Sequence, residues 1–233
     1  MRTLTLLLLS SSLYCTTARS QRLSHNEADF LHIAALQGQA ADIDNLYQDI
    51  RGEAFFDTQW LPGFALTSTG QRIPGLRLKF DWHQSKFYAN RHDTIYDLTT
   101  TTVTRCILYQ SLTDTNTPYT FSRTLTITGI APGKFVQLLA EGNLTLAKYR
   151  AVEIKDIHED GVLSTAKSFV GQNYYYLIGS NNQSTAVKLN KKTLEKELAD
   201  KWTEITNYAK EKSISFSDEE GWIALINYYN TLH

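Results

Sequence analysis

A two-residue rhythm of apolar and polar side chains runs through the middle of this chain and is the feature that most constrains its fold. The stretch GLRLKFDWHQSKFYA, residues 75–89, alternates Leu76, Leu78, Phe80 and Trp82 with Arg77, Lys79, Asp81 and His83. Because successive side chains of an extended strand point to opposite faces, this pattern predicts a half-buried β-strand. We interpret the charged row as the solvated face of an antiparallel sheet, with a binding strip as the alternative.

The same period recurs from Phe55 to Leu189 and predicts a series of strands. The predicted strands are residues 60–67, 75–83, 86–89, 97–112, 119–128, 135–140, 143–154, 162–169, 174–178 and 186–189. Short connections rich in turn-forming residues, such as Pro132-Gly133 and Asn181-Asn182, separate them. Such connections favour antiparallel pairing, because a parallel crossover needs about a dozen linking residues. We therefore predict an antiparallel β meander over residues 55–189, either a curved open sheet or a partial barrel.

Helical periods flank the predicted sheet on both sides. Capping-box spacing at Ser24 and Glu27 predicts an N-terminal helical segment over residues 25–50, broken or split into two helices. After Asn190 an apolar stripe repeats at helical intervals, and a second capping box, residues 217–220, opens another helix. These features predict a C-terminal helical hairpin over residues 191–232 that packs against the sheet. The predicted fold class is α+β.

The first twenty residues have the features of an export signal. Arg2 is followed by a short apolar run that is not long enough to cross about 30 Å of hydrocarbon, and Ala18 and Ser20 precede a cleavage site at Gln21. Lipidation of Cys15 is disfavoured because Tyr14 occupies a position where lipoprotein signals need a small residue. We predict a signal peptide over residues 1–20 and a single domain over residues 21–233, exported to the periplasm, the outer membrane or the exterior.

Composition narrows the classes of partner. The chain has 23 basic and 24 acidic residues, and removal of Arg2 and Arg19 with the signal makes it more acidic, so we expect no nucleic-acid partner. No second apolar run reaches membrane-spanning length, so we expect no transmembrane segment after cleavage. Cys106 is then the remaining cysteine, which excludes an internal disulfide, and its apolar, β-prone neighbours predict a buried, inert thiol.

The motifs of common catalytic and cofactor sites are missing from the sequence. There is no Gly-x-Ser-x-Gly elbow, no Gly-x-Gly-x-x-Gly fingerprint and no phosphate-binding loop. His25, Asp29 and His32 share one face of the predicted first helix, but nothing nearby completes a set of metal ligands. We therefore predict no catalytic residue, no cofactor and no metal site.

Paired carboxylates leave one enzymatic alternative open. Asp93/Asp97 and Glu219/Glu220 are pairs of the type that a glycosidase places across a cleft. The second pair begins a predicted helix, where acidic side chains stabilise the positive end of the helix dipole, and capping explains it better. Asn143 and Asn182 begin glycosylation sequons that matter only on a eukaryotic secretory route.

Tyrosines are abundant, with 13 in the chain, and include the runs Tyr174–Tyr176 and Tyr228–Tyr229. Tyrosine tolerates half-exposed positions, so such runs serve both sheet rims and recognition surfaces. On a strand, Tyr174 and Tyr176 share one face while Tyr175 faces away. Packing in the core and at the rim is the favoured interpretation, with a recognition surface as the alternative.

Two stretches resemble an uncharacterised family of secreted proteins of Gram-negative bacteria. They are RGEAFFDTQWLPGFALTSTGQRIPGLRLKFDWHQSKFYA, residues 51–89, and EKSISFSDEEGWIALINYYNTL, residues 211–232. In the first, Phe80 and Asp81 stand where the family has tyrosine and asparagine; the second ends in the family's two tyrosines and asparagine, here Tyr228, Tyr229 and Asn230. The resemblance implies an envelope or secreted location and a β-rich body with C-terminal helices. No catalytic residues are established for the family, so none is carried over.

Export, missing catalytic motifs and half-polar aromatic residues together predict a non-enzymatic binding module of the cell envelope or exterior. Its partner is an unknown protein or envelope component. Two alternatives stay open: a glycan or lipid hydrolase whose carboxylates converge in three dimensions, and a small-ligand carrier with a cavity inside the curved sheet.

Overall fold

A computed structural model describes residues 43, 45–91, 93–98, 102–158 and 165–233. The predicted signal peptide, Cys15, and the candidate metal ligands His25, Asp29 and His32 lie outside these residues, as does most of the predicted N-terminal helical segment. Of the described part of that segment, residues 45–49 form turns and residues 50–51 form a strand. The helical prediction is therefore wrong for this end of residues 25–50, because Ile50 and Arg51 pair with a distant strand.

One sheet contains all eleven described strands. They are β1 (Ile50–Arg51), β2 (Leu61–Thr67), β3 (Arg72–Asp81), β4 (Lys86–Arg91), β5 (Thr94–Asp97), β6 (Val103–Leu108), β7 (Tyr119–Ser122), β8 (Val136–Ala140), β9 (Leu144–His158), β10 (Thr165–Gly179) and β11 (Ser184–Val187). Their order is β5-β4-β3-β2-β6-β7-β8-β9-β10, with β1 and β11 both on the outer edge of β10. The sheet is open, and the predicted antiparallel pairing is confirmed for its body. The predicted simple meander is wrong at one point, because β6 pairs with β2 and not with the preceding strand β5. Among the described strands β1 is the exception, since it runs parallel to β10 and makes the sheet mixed.

Three strand predictions fail. The predicted strand 119–128 is wrong beyond Ser122, where β7 ends. The predicted strand 97–112 is wrong as one element: β5 ends at Asp97, and β6 begins at Val103. The predicted strands 162–169 and 174–178 are instead one strand, β10. Gly171, Gln172 and Asn173 interrupt its apolar pattern, but their backbones stay paired with β9 in an unbroken register. Hydrogen bonding to a neighbouring strand continues where the side-chain pattern stops.

An aromatic core covers one face of the sheet. Phe80, Phe87, Phe121 and Phe135 are fully buried there, and the rings of Phe80 and Phe87 stack with centroids 4.5 Å apart. Residues 54–56 close over this core, because the amide of Phe56 donates to the carbonyl of Phe80 (2.8 Å) and the amide of Trp82 donates to the carbonyl of Ala54 (2.8 Å). Cys106 is buried in the same cluster, as the sequence predicts, and burial raises the pKa of its thiol.

Three α-helices form a layer on the other end of the sheet: α1 (Lys191–Glu197), α2 (Trp202–Lys212) and α3 (Glu219–Thr231), with a 3₁₀ turn (Ala199–Lys201) between the first two. Asn190 caps α1 as predicted, accepting from the amide of Thr193 (2.9 Å). Asp218, rather than the preceding serine, caps α3 by accepting from the amide of Gly221 (2.7 Å). None of the helices described is both long and apolar enough to cross a membrane.

The helices pack on each other and on the sheet, as predicted for the C-terminal hairpin. Their apolar stripes meet Ala140, Leu146 and Leu177 of the sheet in one buried cluster, to which the helices contribute Leu194, Leu198, Ile205, Ala209, Trp222, Leu225 and Ile226. The predicted first helix is divided at Leu198, whose backbone leaves the helical conformation. The layer is therefore three helices rather than two.

The long β9–β10 hairpin joins these two of the three apolar clusters of the described residues. Its fifteen residue pairs run from Leu144–Gly179 to His158–Thr165 without a bulge. On its inner face, Leu146 and Leu177 lie under the helices, and Val152 and Phe169 pack on the aromatic core. Two polar pairs lie between them on the same face, namely Lys148 with Tyr175 and Arg150 with Asn173. This polar band separates the helical layer from the aromatic core.

Candidate functional site

The charged row of β3 divides into an exposed part and a buried part. Arg77 is exposed, which agrees with the interpretation of the charged row as a solvated face. His83 is half-buried. Lys79 and Asp81, in contrast, are 7% and 0% exposed, so that interpretation is wrong for them. This end of β3 is covered by residues 54–60 and Tyr47. The alternation of side chains within β3 could not predict their burial, because the covering residues lie outside the strand.

Asp81 is held by a network of short polar contacts. The hydroxyl of Tyr47 donates to Oδ2 (2.6 Å), the amide of Gln84 donates to Oδ1 (2.9 Å), and Nε2 of Gln84 donates to the Tyr47 hydroxyl (2.8 Å). Burial raises the pKa of Asp81, and burial together with the Asp81 bond raises the pKa of Tyr47. Asp81 has no exposed surface, so a solute has no access to its carboxylate. Its contacts with Tyr47 and Gln84 tie the β3–β4 turn to the start of the described chain.

Lys79 lies in a covered pocket nearby. Its ammonium donates to the carbonyl of Thr58 (3.0 Å) and lies 4.7 Å from the ring centre of Phe55, within the range of a cation–π interaction. The pocket has a volume of about 210 Å³ and is also lined by Tyr47 and Phe169. The charge of Lys79 is therefore stabilised inside the fold.

A second pocket lies directly over the polar band of the β9–β10 hairpin, and we call it the interlayer cleft. It has a volume of about 310 Å³ and is lined by Glu53, Phe55, Phe56, Trp82, Lys148, Arg150 and Asn173. The three aromatic residues come from the cover and rim of the aromatic core. The other side chains are polar, so the cleft combines an apolar wall with a charged floor. That combination is typical of specific ligand sites.

Lys148, at the helical side of the cleft, is neutralised by the helical layer. Its ammonium donates to both carboxylate oxygens of Glu219, at 2.8 and 3.0 Å, and the hydroxyl of Tyr175 donates to Oε2 of the same carboxylate (2.8 Å). Burial and then the Glu219 carboxylate raise the pKa of Tyr175 to about 12. Glu219 at the start of α3 therefore fixes both members of one polar pair.

Arg150, in the middle of the floor, has a neutral partner instead. Its Nη1 donates to Oδ1 of Asn173 (3.1 Å), and its guanidinium lies across Gly171, where any Cβ would overlap it. Among the described residues no carboxylate forms an ion pair with Arg150. The guanidinium of this half-buried residue therefore has donors left to bind a carboxylate in a bidentate manner.

A third pocket, of about 530 Å³, borders the outer edge of β10 where the chain leaves β11. It is lined by residues 172–176 and 186–189, so Asn173 lines both this pocket and the interlayer cleft. Tyr174 is 41% exposed, whereas Tyr176 is buried on the same face and Tyr175 points to the inner face. The predicted alternation of the three tyrosines is confirmed.

The other residues singled out by sequence do not form a site. Asp97 pairs with Lys86 (3.2 Å), and Asp93 occupies a turn at φ 62°, so the Asp93/Asp97 pair belongs to the β4–β5 hairpin. Glu220 is exposed beside Glu219. The described residues contain no group of three or more His, Cys, Asp or Glu side chains placed to hold a metal ion.

Sequence reasoning missed Arg150 and Asn173. A signal for the first was present, because Leu146, Lys148, Arg150 and Val152 share one strand face and place two cations between apolar residues. Nothing comparable pointed to Asn173, whose role depends on its pairing with Arg150 across the hairpin.

A comparison of the chain with protein-family models, curated proteins and solved structures found no match.

Proposed function

We propose that this chain is an exported, non-enzymatic binding protein whose interlayer cleft receives an acidic group of its partner. The observation that carries the proposal is the state of Arg150, a half-buried residue whose guanidinium has a neutral side-chain partner, on the floor of a cleft walled by aromatic rings. A ligand carboxylate that enters the cleft can form two parallel hydrogen bonds with this guanidinium, and these bonds become stronger as the ligand displaces water from the cleft.

The arrangement of charge around Arg150 supports this assignment. Lys148 already has Glu219 as its counterion, so Arg150 is the cation that remains for a ligand. Glu53 also lines the cleft, where its carboxylate accepts from the amide of Phe55 (2.8 Å). A carboxylate at this place repels a polyanion, so the cleft favours a ligand with one acidic group beside apolar surface.

The exported location rests on the sequence of residues 1–20 and on the resemblance to secreted proteins of Gram-negative bacteria. Expression of the full chain in such a bacterium, followed by fractionation and mass measurement, tests it. Export with cleavage predicts a mature protein that begins at Gln21 in the periplasmic or outer fraction. A full-length protein that stays in the cytoplasm would contradict the proposed location.

Comparative capture tests the binding function. The wild-type protein and two variants, Arg150→Gln and Lys155→Gln, would be immobilised and exposed to the same envelope extract. Lys155 is an exposed cation on the same strand, so its variant is the matched control. We expect a component that wild type and Lys155→Gln retain and Arg150→Gln loses.

Two results would contradict the proposal. One is equal retention of every captured component by Arg150→Gln and wild type. The other is turnover of glycan or lipid-ester substrates that disappears with Glu53→Gln or Glu219→Gln, since that result would assign the cleft to a hydrolase.

A further inference from the structure

The outer edge of β10 has a gap between its two neighbouring strands. β1 pairs with Lys167 and Ser168, and β11 pairs with residues 175–178. After β1 the chain turns away at Gly52, which has φ +86° and lies beside Phe169. Among the residues that the structure describes, Val170–Tyr174 have no strand on this side. At about 3.3 Å per residue the gap is roughly 17 Å long.

Backbone groups of two residues point into this gap. The amide of Gly179 donates to the carbonyl of Gln183 on the β11 side (3.3 Å), and the register with β9 is unbroken along β10. Because successive residues of a strand direct their N–H and C=O groups to alternate edges, Gly171 and Asn173 direct theirs outward like Gly179. An open strand edge of this kind is a template for pairing with another extended chain.

We infer that an extended peptide segment of the partner, about five residues long, pairs with β10 in this gap and places an acidic side chain against Arg150. The inference rests on the proposed function and names the chemical class of the ligand. Main-chain donors and acceptors at strand spacing match a peptide, and pairing on an exposed sheet edge is a common mode of peptide recognition.

The position of Arg150 sets the side chains that such a peptide needs. A residue opposite Gly171 or Asn173 has its side chain on the inner face, where the Arg150 guanidinium lies over Gly171 and bonds Asn173. Its neighbours have their side chains on the outer face, next to Val170 and Tyr174, which are 42% and 41% exposed. The expected pattern is therefore one acidic residue with an apolar residue on each side.

Lys188 places a second positive charge along the outer edge of β10. It is exposed and lines the pocket of about 530 Å³ where the chain diverges from β10. Arg150 and Lys188 are both cations, which complements an acidic peptide.

Synthetic peptides test this inference directly. The probes are acetylated, amidated heptapeptides with one central glutamate among valine and threonine residues, the same peptides with lysine for glutamate, and the glutamate peptides N-methylated at alternate backbone nitrogens. Soluble polygalacturonate is the acidic glycan control. Affinity would be measured by calorimetry, and amide exchange of Gly171 and Asn173 would be followed by NMR.

We expect the glutamate peptides to bind and to slow exchange of the Gly171 and Asn173 amides. Asn173→Pro, which removes one outward N–H, should weaken binding about fivefold beyond the matched variant Asn173→Ala. Arg150→Gln should weaken it by about tenfold or more, because a hydrogen bond to a charged group is lost. One of the two N-methylation patterns should abolish binding, which keeps the test informative even if Asn173→Pro does not fold.

Several outcomes would overturn the inference. They are equal binding of the lysine peptides, unchanged exchange at Gly171 and Asn173, or insensitivity to both N-methylation patterns. Binding of polygalacturonate that depends on Arg150, with all peptides inactive, would overturn it while leaving the proposed function intact. Retention of every captured component by Arg150→Gln would instead reject the proposed function itself.

Discussion

Glu219→Ala is expected to destabilise the fold well beyond the usual effect of losing a surface carboxylate. Glu219 lies in the first turn of α3 and accepts three hydrogen bonds, two from the Lys148 ammonium and one from the Tyr175 hydroxyl. The alanine variant leaves the Lys148 ammonium on the inner face of the hairpin without its counterion. An uncompensated, partly buried charge is the costly part of the change.

The exposure of the two partners sets the magnitude. Exposed ion pairs contribute about 0–1 kcal/mol, whereas breaking a buried pair costs about 3–5 kcal/mol. The side chains of Lys148 and Glu219 are 13% and 31% exposed, which places this pair between the two limits. After allowance for solvent screening, we expect Glu219→Ala to lower the free energy of unfolding by about 2 kcal/mol.

Glu220→Ala is the matched control. Glu220 is the next residue of the same first turn and is exposed, so its loss removes only a favourable interaction with the helix dipole. That interaction is worth about 0.3–1 kcal/mol. Urea unfolding of both variants therefore should show a difference of about 1.5 kcal/mol, with unchanged dependence on urea concentration.

A double variant separates the ion pair from other causes. Lys148→Met in the Glu219→Ala background removes the unpaired ammonium and should restore part of the lost stability. The reasoning is refuted if Glu219→Ala and Glu220→Ala differ by less than about 0.5 kcal/mol, or if Lys148→Met destabilises the Glu219→Ala protein further.

Three further predictions follow from buried groups. Burial raises the pKa of Asp81 above its ordinary 3.8, so ionisation of Asp81 opposes folding. The wild-type free energy of unfolding should therefore fall relative to that of Asp81→Asn as pH rises above about 4, and level off above the folded-state pKa. A difference that is independent of pH in acid-range unfolding titrations would contradict this. Phe121→Ala empties a fully buried site among aromatic rings and should cost about 3–5 kcal/mol by urea unfolding, clearly more than Phe64→Ala at a half-buried site. Cys106 should react with iodoacetamide only as fast as the protein opens, because its thiol is buried and its pKa is raised; rapid labelling of the native protein would contradict the packing.

Most of the sheet could be predicted from local patterns. Strands β2, β3, β4 and β8 lie close to their predicted positions, since one apolar face packs on the core and the other carries polar residues. The prediction failed where side-chain pattern and backbone pairing disagree, as in the continuous β10. It failed also at β1, whose parallel partner is more than a hundred residues away in the chain.

The candidate site depends much more on tertiary structure. The alternating pattern of β3 predicts that Lys79 and Asp81 face solvent. They are buried because the segment before β2 folds across them. Arg150 and Asn173 meet because they are cross-strand partners in the β9–β10 hairpin, and their cleft exists because two apolar clusters flank that hairpin. Sequence neighbours contain no information about such partners.

By itself the sequence determined the class of fold, the antiparallel body, the Asn190 cap of α1 and the burial of Cys106. These properties depend on periodicity and on residues within a few positions of each other. Only the tertiary structure decided which polar residues are buried, which cation lacks a carboxylate partner and, among the described residues, which strand edge has no neighbour. Those properties depend on contacts between segments that are distant along the chain, where burial and pairing are set by the packed fold rather than by local pattern.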